Sequence, residues 1–284
     1  MFDRIAASWE LALSSLKVLR EEKKLILFPI ISGLGCLIVI ASFVGPFLML
    51  RPDLDFAGPQ GQVKIPWWSY VVAFAFYFCN YFVIIFCNAA LVSCALLRFN
   101  GEEPSIGSGF QAAASRLPQI LAWALVSATV GLLLRIIENA NEKIGRFIGA
   151  LLGTAWTIMT FFVVPVLVVE KVGPFEAVSR SMQILRKTWG EALVGRMGLG
   201  LFLFLAFLPI LALFGLGISL ININTGAAMG CLVLAFAYGL VWGAAGSALN
   251  VIFQTALYQY AAFNQVPPGF NGETLSRAFG SKSR

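Results

Sequence analysis

The sequence predicts an all-α protein: a bundle of six transmembrane helices, written as three pseudo-repeats of a cytoplasmic amphipathic helix plus a transmembrane hairpin. Three observations carry that expectation. Mean hydropathy is +0.84 and only 12% of the residues are charged, about half the share found in soluble domains. Six stretches stay uncharged over the length that crosses a bilayer, which takes about 20 residues of helix. A helix-like phrase also recurs: "SRSMQILRKTWGE" at 179–191 matches "SRLPQIL" at 115–121 in its Ser, Arg, Gln, Ile and Leu. The expected organisation is one integral membrane domain over 1–263, followed by a cytoplasmic tail over 264–284.

The chain opens with "RIAASWELALSSLKVLREEKK", where Ile5, Trp9, Ala12, Leu16 and Leu19 form one stripe at helical spacing. Charges of both signs precede the first apolar run, 25–50, unlike the short basic start of a cleaved signal. That run is therefore expected to stay as a membrane anchor. The second span is 67–97, entered through "PWWSY" at 66–70, which fits an outer aromatic belt. The third, 117–134, is preceded by Phe110, Ala113, Leu117 and Leu121, a second amphipathic stripe interrupted by Pro118. The fourth is 147–169.

A charged island, 170–196, separates the fourth span from the fifth, 197–221. There Pro174 suits a first helical position, and Phe175, Val178, Met182, Leu185 and Trp189 recur on one face. Arg180, Gln183, Lys187 and Glu191 fall elsewhere on the wheel. This reads as an amphipathic helix against the membrane or the span ends. Within it "SMQILR" lies over "SLKVLR" of the first stripe, at 15–20. "NINTG" at 222–226 is a tight turn. The final run, 227–263, carries no charge and as a helix would reach roughly 55 Å, far more than the hydrocarbon core. Its crossing is expected over 228–250, with the helix continuing beyond.

Orientation follows from Lys and Arg. With the N-terminus inside, fifteen of them lie on inner segments and five on outer ones, a positive-inside bias that places both termini in the cytoplasm. The net charge of +6 is thus a topology signal, and no nucleic-acid partner is expected. The five cysteines all lie in apolar runs and read as small packing residues, not as a disulfide framework.

The segment "FFVVPVLVVEKVGPFEAVSRSMQILRKTWGEALVG" (161–195), together with "SWELALSSLKVLREEKKLILFPIISG" (8–33), resembles an uncharacterised family of bacterial six-pass membrane proteins. More loosely, the layout is similar to the membrane domain that accompanies some glycerophosphodiester phosphodiesterases. The resemblance implies a six-helix fold in a bacterial inner membrane and transfers no catalytic residue.

The chemistry expected is correspondingly thin. There is no histidine, which removes Ser-His catalysis, His-based proton relays and most zinc sites. No aspartate falls within a span, and no phosphate-cradling or dinucleotide signature appears. Glu170, Lys171, Ser179 and Ser181 could be read as a site at the inner surface, but surface charges of a helix explain them better. No enzyme, metal or cofactor is expected. Intramembrane ionisable groups, the usual mark of ion-coupled transport, are absent from the span centres.

Two sets of candidate residues remain. The polar residues inside spans are Asn80 and Asn88, then Thr154, Thr157 and Thr160, then Ser247, Asn250, Gln254 and Tyr258. They either line a path for a neutral solute or lipid, or hydrogen-bond between helices. At the inner surface, Arg180, Arg186, Lys187, Trp189 and Arg196 are expected to meet anionic headgroups, a protein partner or a second copy. Gly145, Gly149 and Gly153, and again Gly239 and Gly243, stand four apart as packing seams or a dimer face. The expected function is a non-catalytic scaffold; the alternative is a transporter or flippase.

Overall fold

A computed structural model describes residues 2–50, 67–140, 144–187, 189–270 and 272, and among them every regular element is helical. In chain order these are α1 (Phe2–Glu21), a 3-10 turn (Lys23–Ile26), α2 (Leu27–Leu50), α3 (Trp67–Phe99) and α4 (Ile106–Ala114). There follow α5 (Leu117–Ala140), α6 (Ile144–Met159), α7 (Val163–Glu170), α8 (Pro174–Lys187), α9 (Trp189–Leu220) and α10 (Thr225–Phe263). Six helical stretches are long and apolar enough to cross a membrane: Lys23–Gly45, Tyr70–Phe99, Leu117–Asn139, Ile144–Glu170, Leu199–Leu220 and Thr225–Phe263. They coincide with the six expected runs.

The chain divides into two units. The first comprises Met1–Ile30, Leu91–Gly109 and Gln183–Arg284. Its frame is the antiparallel pair α9 and α10, turned by Asn224, whose side chain caps α10 by accepting the Ala227 N–H. Near that turn the helices approach so closely that a Cβ on Gly217 would stand 2.8 Å from Leu232. Further along, Phe207 lies against Trp242, with ring centroids 5.2 Å apart. Pro209 interrupts the hydrogen-bond ladder of α9, and the neighbouring helix supplies donors there. Tyr238 donates its O–H to the Ala206 carbonyl at 3.1 Å, and Trp242 donates Nε1–H to the Leu203 carbonyl at 3.1 Å. These bonds tie α10 to the turn of α9 before Pro209. Replacing Tyr238 and Trp242 by Phe should each lower stability by about 0.6 kcal/mol, readable as a small fall in melting temperature in detergent.

α10 runs 39 residues without a break. Its turn-side half is exposed, while Leu249, Ile252, Phe253, Ala256, Leu257 and Tyr258 are buried. The uncharged run is thus part lipid-facing and part protein core. It ends where Asn264 adopts the left-handed conformation that closes a helix, ahead of two prolines. α1 packs on both α9 and α10, burying Leu11, Ser15, Val18 and Leu19; Trp9 meets Phe202 edge to face at 5.3 Å. The expected tail is docked at its start: Gly269, with φ +88, lets the chain turn beside Val18, and Phe270 packs edge-on against Phe99. Arg98, at the end of α3, holds Glu21 at 2.8 Å and Glu22 at 3.8 Å. Its hydrogen bond, then its charge and that of Lys17, hold the Glu21 carboxyl below its ordinary value. The link therefore persists through neutral pH and dissolves only as pH falls through that lowered value.

The second unit comprises Ile31–Ala90 and Phe110–Met182. α2 crosses α3 where a Cβ on Gly35 would lie 2.8 Å from Val83, and Phe43 meets Phe76 edge to face. α5 and α6 form a tighter pair. Gly145 and Gly149 are buried against the Ile137–Glu138 stretch of α5, and Trp123 stacks on Trp156 at 5.6 Å. This glycine seam is therefore internal to the chain. Gly243 has open space where a side chain would stand. Pro118 does not interrupt a helix as expected: α4 ends at Ala114, and Pro118 lies in the first turn of α5, where a missing N–H is harmless.

Candidate functional site

The fourth span and the helix after it form the most elaborated junction in the second unit. Pro165 offers no N–H to the carbonyl four residues earlier, and the helix breaks there: α6 stops at Met159 and α7 begins at Val163. Phe162, at the break, has φ −101 and ψ 8, so its N–H lies outside the regular ladder. That buried N–H donates to Ser181 Oγ at 3.0 Å. α7 then ends at Lys171, which takes the left-handed conformation at φ 59. α8 returns antiparallel to α7: Arg180 Nε donates to both Glu170 oxygens, at 3.0 and 3.1 Å. Arg116, just before α5, donates Nε–H to the Val168 carbonyl at 3.2 Å. Val168 thus shares the depth at which α5 begins its apolar run, and Phe162 lies about 9 Å further along the span.

The wheel of α8 is rotated from the expected one. Its buried residues are Ala177, Ser181, Ile184 and Leu185, whereas Phe175 is 78% exposed and Val178 and Met182 are half-buried. Two small and two large side chains thus face the protein, and the small Ser181 brings its hydroxyl to the Phe162 N–H. Of the apolar stripe expected on one face, Leu185 is buried and Phe175, Val178 and Met182 lie beside that contact. Arg180 is committed to Glu170, and Arg186 is exposed. Lys187, Trp189 and Arg196 belong to helices, but their side chains fall outside the described residues. The four residues read as a conceivable inner-surface site do not converge: Ser181 serves Phe162, Glu170 serves Arg180, and Ser179 and Lys171 are exposed.

Five of the polar residues within spans bond to their own helices. Asn80 donates to the Phe76 carbonyl, Thr154 to Ala150, Thr157 to Gly153, Thr160 to Trp156 and Asn250 to Gly246. Each bond is to the residue's own helix, four residues back, a competition that Ser, Thr and Asn make with the ladder. Ser247 is exposed, Asn88 and Gln254 are half-buried, and Tyr258 is fully buried. Sequence reasoning missed the Ser181 acceptor. The spacing Ala177-xxx-Ser181, small residues one turn apart, was the available signal.

Six helices of this length and hydropathy, with the polar side chains turned back onto their own backbone, define a multi-pass membrane protein. A family model described as a family of unknown function, DUF6159, matches residues 68–267. The chain belongs to that family. The match begins at the start of α3 and so leaves out α1 and α2. No curated protein matches the chain.

Proposed function

We propose that the protein is a non-catalytic scaffold of a bacterial inner membrane, both termini cytoplasmic, that engages a protein partner through its inner-face helices. The orientation rests on fifteen inner against five outer basic residues. The pseudo-repeat reading draws support from burial. When "SLKVLR" is laid on "SMQILR", the buried positions of α1 and α8 correspond: Leu11 with Ala177, Ser15 with Ser181, Val18 with Ile184, Leu19 with Leu185. Arg20 and Arg186 correspond as exposed cations. α1–α2–α3, α4–α5–α6/α7 and α8–α9–α10 are then three copies of one unit.

One observation carries the scaffold reading. Trp9 in α1 is covered by Phe202, whereas its counterpart Phe175 in α8 stands 78% exposed, one turn from half-buried Val178. An exposed aromatic on an otherwise packed helix is the kind of side chain that anchors an interface. Replacing Arg186 and Lys187 with Gln should abolish retention of a partner subunit while insertion is unchanged, read by native mass spectrometry of protein extracted gently from its own membranes. A wild-type protein that retains no subunit but holds one defined solute or lipid would overturn the scaffold and favour the transporter alternative. No observation speaks for a path, since Asn80, Thr157 and Asn250 spend their donors on their own helices.

A further inference from the structure

The bend between α1 and α2 carries a charge arrangement that the scaffold reading does not use. Leu25 and Phe28 are 1% exposed, so the 3-10 turn is pinned on its protein side. Lys23 and Lys24 are consequently turned outward, and both are exposed. On α1 the exposed positions Leu13, Lys17 and Arg20 fall at spacings of four and three, one continuous stripe leading to the turn. The segment also holds two acids, which in an isolated helix would neutralise half of these cations. Here Arg98 offsets one of the two: it takes Glu21 at 2.8 Å and lies 3.8 Å from Glu22.

Among the described residues no salt bridge includes Lys17, Arg20, Lys23 or Lys24. Lys17 adds to the field at Glu21 without pairing with it. The apolar window of the first span begins at Lys23, so the four cations stand where the chain enters the bilayer. Phosphate is the anion present at that depth.

We infer that the α1–α2 bend is a binding surface for anionic phospholipid headgroups, with Lys17, Arg20, Lys23 and Lys24 as its cations. Arg98 acts here by position alone: its charge lies against Glu21 and Glu22 and offsets one of the two carboxylates, so the four cations keep a net excess. Leu13 continues the stripe toward the apolar side, where it meets acyl chain, the usual partition of an interfacial helix. α8 is the poorer surface for this purpose, because Arg180 is already paired with Glu170.

The test uses the purified full-length protein in detergent, where orientation plays no part, titrated with phosphatidylglycerol or phosphatidylcholine and read by native mass spectrometry. Lys23 and Lys24 are kept, since they contribute to topology during insertion. The wild type is expected to retain phosphatidylglycerol in defined number at concentrations where phosphatidylcholine is lost. K17Q/R20Q is expected to weaken that retention roughly fivefold for each charge removed. K17R/R20K, which keeps both charges, is expected to bind as the wild type does, and R186Q/K187Q likewise. Equal retention of the two lipids by the wild type overturns the inference. So does undiminished binding by K17Q/R20Q, or a loss shared by K17R/R20K. A loss confined to R186Q/K187Q would move the headgroup to α8 and overturn it as well. The scaffold reading stands or falls separately, on partner retention.

Discussion

Gly145→Ala should lower the melting temperature of the detergent-solubilised protein by several degrees, while Gly153→Ala leaves it unchanged or raises it slightly. The two glycines belong to one seam of glycines spaced four apart, stand eight residues from each other, and in sequence are equivalent. A Cβ on Gly145 would stand 2.5 Å from the Ile137 carbonyl oxygen and 3.1 Å from that of Glu138. Both obstacles are backbone of α5, which cannot swing aside as a side chain can, so α5 and α6 must separate. Loss of packing along the hairpin then costs about 2–3 kcal/mol. At Gly153 the nearest atom is the Leu134 side chain, 4.0 Å away, an ordinary contact. Alanine there removes glycine's helix penalty of about 1 kcal/mol. Equal melting temperatures for the two variants would show that α5 and α6 do not cross at Gly145 as described.

Ser181→Ala should cost about 1–3 kcal/mol, the penalty of leaving a buried N–H without its acceptor, whereas Ser179→Ala should cost nothing measurable. Ser181 is fully buried and accepts from the Phe162 N–H across the break in the fourth span; Ser179 is exposed. Beyond the fall in melting temperature, amide exchange should report the change locally. The Phe162 amide is expected to exchange faster in the Ser181→Ala protein, with Val166, bonded to the Phe162 carbonyl inside α7, less affected. A Ser181→Ala protein as stable as Ser179→Ala, with Phe162 still protected, would mean that α8 does not hold the break. The effect is larger than at Tyr238 or Trp242, whose acceptor carbonyls lie on a face partly open to lipid.

Hydropathy alone anticipated six helices long and apolar enough to cross a membrane, because moving apolar side chains out of water dominates every other signal at this composition. The same signal could not say where water was being left for. Residues 227–263 read as one uncharged run, yet part of it is exposed and part is protein core. Transfer into lipid and transfer into protein look alike on any hydropathy scale. α10 is continuous over Thr225–Phe263.

Local rules also misjudged α8. Periodicity gathered Phe175, Val178, Met182, Leu185 and Trp189 on one face for the membrane or the span ends, whereas the face packed on the protein is Ala177, Ser181, Ile184 and Leu185. An apolar stripe shows that a face avoids water, not whether protein or lipid covers it, and a buried Ala or Ser leaves no mark in such a stripe. The polar residues of the spans were weighed as a path or as cross-helix bonds; Asn80, Thr157 and Asn250 instead bond to their own helices. A carbonyl four residues back is always within reach, whereas a partner on another helix has to be brought there.

The linear order of residues was enough for helix content, span number and the recurrence of one helical phrase, since each depends on neighbours within a turn or two. It could not show that Arg98 pairs with Glu21 at the end of α1, or that Ser181 accepts the N–H left free at the break before Pro165. Those pairings join residues 77 and 19 positions apart. Hydrogen bonds and ion pairs act over a few ångströms, and only the folded chain decides which groups come that close.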